Sequence, residues 1–231
     1  MSHQKRSGLS AIGLMVSTLG VIFGLAGFEH GFFETLQGNV TPEIHWINGN
    51  PMIYAIGEAQ RFWPYGFEYA YTLIPNFLVT GILAMFVSLL VIFWSVIFVQ
   101  KKHGWLIFLL LSTVQYLVGG GSAQYGPAII IGLCAFWVNS PLQLWRAILP
   151  IQVRRAIAKP WPWLIIAFAL VFCQSSVTAV FGFFYGVHAP EYVNQITWGM
   201  LNVMIALLPV MIISAFAHDS LKYDAPDFGM K

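Results

Sequence analysis

Charge is scarce in this chain. Only 9% of its residues are Asp, Glu, Lys or Arg, where a soluble domain carries roughly 25%. With 58% hydrophobic residues and a mean hydropathy of +0.73, the 231 residues hold too little polar surface to coat a globule, so lipid is the solvent for most of the fold. Cysteine is almost missing too. The two present, Cys134 and Cys173, fall in apolar runs, which excludes a disulfide framework and reads them as small core residues. The sequence has no GxSxG elbow, phosphate-binding glycine loop, CxxC pair or c-type haem motif. Nor is there a basic surface for nucleic acid.

What the chain has instead is long uncharged runs. They predict an all-α integral membrane protein of six transmembrane helices, near 7–28, 70–99, 105–122, 126–145, 161–187 and 193–217. Each run approaches or exceeds the ~20 residues needed to cross a bilayer. The first follows Lys5 and Arg6 and is too long for the apolar core of a cleaved leader, so a retained signal anchor is expected. The third and fourth runs are divided by GGGSAQYGP, Gly119 to Pro127, whose glycines and proline break a helix. A full hairpin and a re-entrant pair both return the chain to the same side. Pro209 is expected to kink the last helix.

Dividing the chain this way sorts its charges. Lys5, Arg6, Lys101, Lys102, Arg146, Arg154, Arg155, Lys159, Lys222 and Lys231 fall on one side, leaving Arg61 alone opposite. Basic residues in short loops mark the cytoplasmic face, so both termini are predicted to be cytoplasmic. The basic link 146–160 is expected to lie along the inner headgroups, with Trp161 and Trp163 as anchors, and the tail from Asp219 to be short and loosely ordered. The outer loop 29–68 carries Trp46, Tyr54, Phe62, Trp63, Tyr65 and Phe67 and reads as an aromatic cap on the outer headgroups.

The densest polar cluster is FEHGFFETLQGN, Phe28 to Asn39. If the first helix runs on through it, His30, Glu34 and Gln37 share one face, with Glu29 on the neighbouring one. A His and a Glu four residues apart can present two metal ligands side by side. The blander use is a polar helix end with Glu34 in water. His188 and Glu191, in HAPEY, fall at the same expected depth. Together His30, Glu34, His188 and Glu191 make a candidate site for a divalent metal, with His45 and Glu58 in reserve. Arg61 either pairs locally with Glu58 or Glu68, or recognises an anionic group. A candidate ligand pocket gathers Glu29, Glu58, Arg61, Asn76 and Gln174. Asn76 lies in IPNFLVTG and Gln174 opens the run Gln174-Ser175-Ser176, with Thr178 beyond it, in the fifth helix. Interhelical hydrogen bonding is the blander use of both. No Asp, Glu, Lys or Arg is placed deep in any span, which argues against an ion-coupled carrier. His103 and His218, at the inner helix ends, are poorly placed to hold a haem.

The phrases FEHGFFETLQGN, AIGEAQ, TLIPNFLVTGILA, IFWSVIFVQKKHG and LVGGG are similar to those of a family of small bacterial polytopic membrane proteins with no assigned activity. The resemblance covers about half of the chain, from the first helix to the glycine turn. It implies a bacterial cytoplasmic membrane and supplies no activity, cofactor or site. Function is therefore read from composition. The leading expectation is a non-catalytic protein that binds or translocates a small or lipophilic molecule, or serves as a subunit of a membrane complex. A membrane enzyme with an outer metal site, and a sensor or assembly factor, are the alternatives.

Overall fold

The computed structural model describes residues 10–41, 44–47, 50–56 and 68–224, with 44–47, 50–56 and 68–69 described by their backbone alone. In chain order the elements are α1 (Ala11–Thr35), β1 (Ile44–Ile47), β2 (Asn50–Ile56), β3 (Glu68–Tyr71), α2 (Phe77–Ile97), α3 (Gly104–Leu117), α4 (Tyr125–Ala135), α5 (Gln143–Ile148), α6 (Ile151–Ala158), α7 (Trp161–Phe181) and α8 (Pro190–Leu221). Four stretches are long and apolar enough to cross a membrane: α1, α2, α6 continued into α7, and α8. That is what an integral membrane protein requires. Helices α3 and α4 are apolar but shorter. At about 1.5 Å per residue they rise roughly 21 and 17 Å, short of a ~30 Å hydrocarbon core.

α1 is the axis of the bundle. It packs most extensively against α2 and also touches α4, α7 and α8. Ile12, Met15, Val16 and Leu19 are fully enclosed, with Phe108, Ile131 and Met211 of other helices around them. Glycine lets α1 and α2 approach backbone to backbone. A Cβ on Gly31 would stand 2.6 Å from the Gly81 carbonyl oxygen, and one on Gly81 would stand 2.6 Å from that of Gly31. In lipid, such close packing replaces the hydrophobic drive that associates helices in water.

Several expected boundaries move, each for a local reason. α1 runs on to Thr35, through the polar cluster expected to open the outer loop. α2 starts at Phe77 rather than near 70, because Asn76 caps it by accepting from the Val79 amide at 3.1 Å. The preceding Glu68–Tyr71 pairs as β3 in an antiparallel sheet of order β1-β2-β3. The aromatic cap assigned to this loop rests on side chains outside the described residues. α4 ends at Ala135, ten residues early, and Asn139 and Leu142 then take positive φ on either side of Pro141. α8 continues through Pro209 to Leu221. Cys134 is buried as expected, whereas Cys173 is exposed on α7.

Lys101, Lys102, Arg146, Arg154 and Lys222 gather where α1 begins and α8 finishes. Gln100 reaches Ser17 on α1, Arg146 bonds the Tyr223 carbonyl, and the Tyr223 hydroxyl donates to the Asn139 carbonyl. The expected surface-lying basic link is only partly so. Arg155 and Lys159 are exposed, but Arg154 turns inward, donating to the Leu149 and Ser220 carbonyls and pairing with Asp224. Desolvation would raise the Asp224 carboxyl, but hydrogen bonds from Arg154 and Arg146 outweigh it and hold the group below its ordinary range.

The start of the tail is therefore fixed, and Asp219 holds it to the opposite end of the chain. Its carboxylate accepts from the Ser10 hydroxyl at 2.6 Å, the Ala11 amide at 2.8 Å and the Ile12 amide at 2.9 Å. These are the free amides that open α1, so Asp219 caps it from outside, with negative charge at its positive end. Asp219→Ala is expected to destabilise the protein by about 2–4 kcal/mol, since three hydrogen bonds to one charged group are lost. Asp219→Asn, keeping one oxygen, should fall between. Unfolding midpoints in detergent micelles check this; an alanine variant as stable as the parent would refute the clamp.

Candidate functional site

Because α1 remains helical through FEHGFFET, His30 and Glu34 lie one turn apart on a single face. That face points into the protein: His30 is 2% exposed and Glu34 is 0% exposed. Opposite them the chain between α3 and α4 passes as bare backbone, Gly119-Gly120-Gly121. Gly119 has φ +90°, and a Cβ there would stand 2.8 and 2.9 Å from the two Glu34 carboxyl oxygens and 2.7 Å from Thr80 Oγ1. Gly121 has φ +84°, and its Cβ would stand 2.8 Å from His30 Nε2. Only glycine gives both the left-handed backbone and the clearance.

The roof is fastened on every side. The Gly119 amide donates to the Tyr71 carbonyl at 3.0 Å and the Gly120 amide to the Gln115 carbonyl at 2.9 Å. Thr80 donates to the Val118 carbonyl at 2.6 Å, while Gln124 donates to that of Gly120. Tyr71, Tyr116 and Tyr125 stack in series alongside. Deeper in, Gln115 Nε2 donates to Ser88 Oγ at 2.9 Å and to the Phe23 carbonyl. Irregular backbone inside a membrane protein has to find its partners within the protein, and this turn does.

Glu34 does not. Neither of its carboxyl oxygens has a hydrogen-bond partner among the described residues. The Thr80 hydroxyl, which with the Glu34 carboxyl lies against Gly119, is already shared between the Val118 carbonyl and Thr72 Oγ1 at 2.6 Å. Burying an unpaired ionised carboxylate costs several kcal/mol. The site therefore demands a cation, or a proton on the carboxyl itself.

The remaining predicted residues disperse. His188 and Glu191 are exposed at the junction of α7 and α8, His188 beside the Phe183 ring and Glu191 in the first turn of α8. Among the described residues no three His, Cys, Asp or Glu side chains group to hold a metal, so the His30, Glu34, His188, Glu191 quartet is not assembled and only the helical pair stands together. Topological depth had placed them at one level, but depth says nothing of which sides of the bundle they occupy. Asn76 is a helix cap bonded to Asn39 at 2.6 Å, and Gln174 exchanges hydrogen bonds with Thr178 and Tyr185. Glu29 lines a cleft of about 360 Å³ between α1 and α7 with Phe28, Phe32, Phe33, Ser176 and Phe181. Glu58 and Arg61 lie outside the described residues, as does the His45 side chain.

Sequence reasoning found the His30–Glu34 face but gave it no roof. GGGSAQ was legible as a helix break; that its glycines fit against a particular glutamate, with Gln124 closing the turn, was not. No protein family model, characterised protein or solved structure matches this chain.

Proposed function

We propose that this chain is a multi-pass protein of a bacterial inner membrane that binds a small cation, a proton included, at Glu34 and catalyses no reaction. The carrying observation is the fully enclosed Glu34 carboxyl with no hydrogen-bond partner among the described residues. His30 shares its face, so a bound ion would meet one imidazole and one carboxylate, with the Gly119–Gly121 backbone overhead. Ionisable groups enclosed in membrane proteins are rare, and proton and ion pathways are where they are found. The gathering of basic residues where α1 begins and α8 ends supports both termini in the cytoplasm. In that orientation α3, the glycine turn and α4 make a hairpin that enters and leaves on the cytoplasmic side.

The test compares the purified protein with Glu34→Gln, which keeps shape and removes charge. Unfolding midpoints are measured across pH 5 to 9 and in sodium, potassium, magnesium or a protonated alkylamine. The parent should show a midpoint shift of several degrees with pH or with one of these cations, and the variant should lose it. A parent insensitive to pH and to every cation, or a variant that keeps the full response, would sink the proposal.

A second reading rests on the cleft between α1 and α7. Its phenylalanines, with Glu29 and Ser176 at hand, suit a lipophilic molecule carrying a polar group. Ser176→Trp should block such a ligand while leaving the Glu34 response intact.

A further inference from the structure

A second polar region lies at the opposite end of the bundle. A cleft of about 300 Å³ is lined by Gln100, Lys101, Lys102, His103, Trp105 and Asn139, together with apolar residues from the end of α4. No carboxylate lines it. The acids of this end are committed elsewhere: Asp219 to the start of α1 and to Lys222, Asp224 to Arg146 and Arg154. Lys101 and Lys102 have no ion pair among the described residues. The Lys101 ammonium sits 4.7 Å above the Phe98 ring, which positions the charge without neutralising it. α3 begins at Gly104, and His103 before it makes no side-chain cap, so the positive end of a fourteen-residue helix borders the same cleft.

Apolar surface continues from this polar rim. Trp105 and Phe136 meet edge to face at 5.7 Å, and Leu106, Leu133, Phe136 and Trp137 are exposed beside them. One ligand therefore fits two chemistries at once, a phosphate group among lysines and chains lying along exposed leucine and aromatic side chains. We propose that this cleft binds the phosphate headgroup of an anionic phospholipid, between the α2–α3 turn and the end of α4. Lys101 and Lys102 supply the charge, and Gln100 and Asn139 supply neutral hydrogen bonds. Basic pockets between helices on the cytoplasmic side recognise headgroups in this way. The assignment is independent of the cation reading at Glu34.

The experiment is native mass spectrometry of the full chain in detergent, titrated with phosphatidylglycerol or with phosphatidylcholine of the same chains. The parent should retain phosphatidylglycerol at least fivefold more readily. The double variant K101Q/K102Q should lose that preference, while R155Q/K159Q, which removes the same charge from exposed positions on α6 and its end, should keep it. Because Lys101 and Lys102 are exposed, an unchanged unfolding midpoint is expected and is checked alongside. Equal losses in both double variants would reduce the effect to diffuse surface charge and overturn the site. Displacement of the lipid by millimolar inorganic phosphate would overturn the lipid assignment in favour of a soluble phosphate. Retention of phosphatidylglycerol by K101Q/K102Q would refute the proposal outright.

Discussion

Gly31→Leu is expected to abolish accumulation of folded protein, and Gly31→Ala to lower stability by roughly 3 kcal/mol or more, beyond ordinary overpacking because backbone is what the new atoms meet. A Cβ on Gly31 would stand 2.6 Å from the Gly81 carbonyl oxygen and 2.8 Å from the Met85 amide nitrogen. A side chain can rotate away from such a contact; a helix backbone cannot, so α1 and α2 would have to separate. That separation would loosen the central interface of the bundle and draw Thr80 away from Glu34 and the glycine turn. Gly126 and Gly199 provide the control, since a Cβ on either meets nothing within 4 Å. Both are helical, so alanine there should be neutral or stabilising by about 0.5–1 kcal/mol. Yield of monodisperse protein and unfolding midpoints in one detergent decide it. If Gly31→Ala proves as benign as Gly199→Ala, the close contact of α1 and α2 is wrong.

Apolar runs against a 30 Å core made the long helices legible in the sequence, and the GGG break between α3 and α4 was equally plain. The pairing of His30 with Glu34 was legible too, because helical spacing is a local rule. Its environment was not. Glu34 stands near the end of an apolar run, where a lone sequence reads a solvated helix end, and the burial comes from residues about 85 positions later. The clamp at Asp219 escaped for the same reason: an acid in the last turn of α8 gives no sign that it caps a helix more than 200 residues earlier. The strands leave little mark on the outer loop, because alternation is weak evidence where aromatic and polar residues are mixed. His188 and Glu191 show the converse error. Charge sorting fixed their level and was silent on azimuth, so residues at one depth were grouped without any contact to bring them together.

Gly119→Ala is expected to destabilise the protein by about 2–4 kcal/mol, combining a left-handed backbone cost with displacement of what lies beneath. The two parts can be separated with Glu34→Ala. Alone, that substitution removes a buried carboxyl that no described residue bonds, so it should be mild despite the volume lost. Combined with Gly119→Ala, it empties the space that the new methyl group needs, because that methyl would otherwise stand 2.8 and 2.9 Å from the Glu34 oxygens. The φ of +90° stays unfavourable for alanine in either background. The double variant should therefore be more stable than the sum of the single changes by about 1–2 kcal/mol, a coupling of the size that contacting residues show. Gly119→Ser in the parent background should behave like alanine in stability, while its hydroxyl, set against the carboxyl, should alter the cation or pH response of Glu34. A double-mutant cycle on unfolding midpoints measures the coupling. Strict additivity would mean that Gly119 and Glu34 do not touch, and with that contact the enclosed site beneath the glycine turn would go as well.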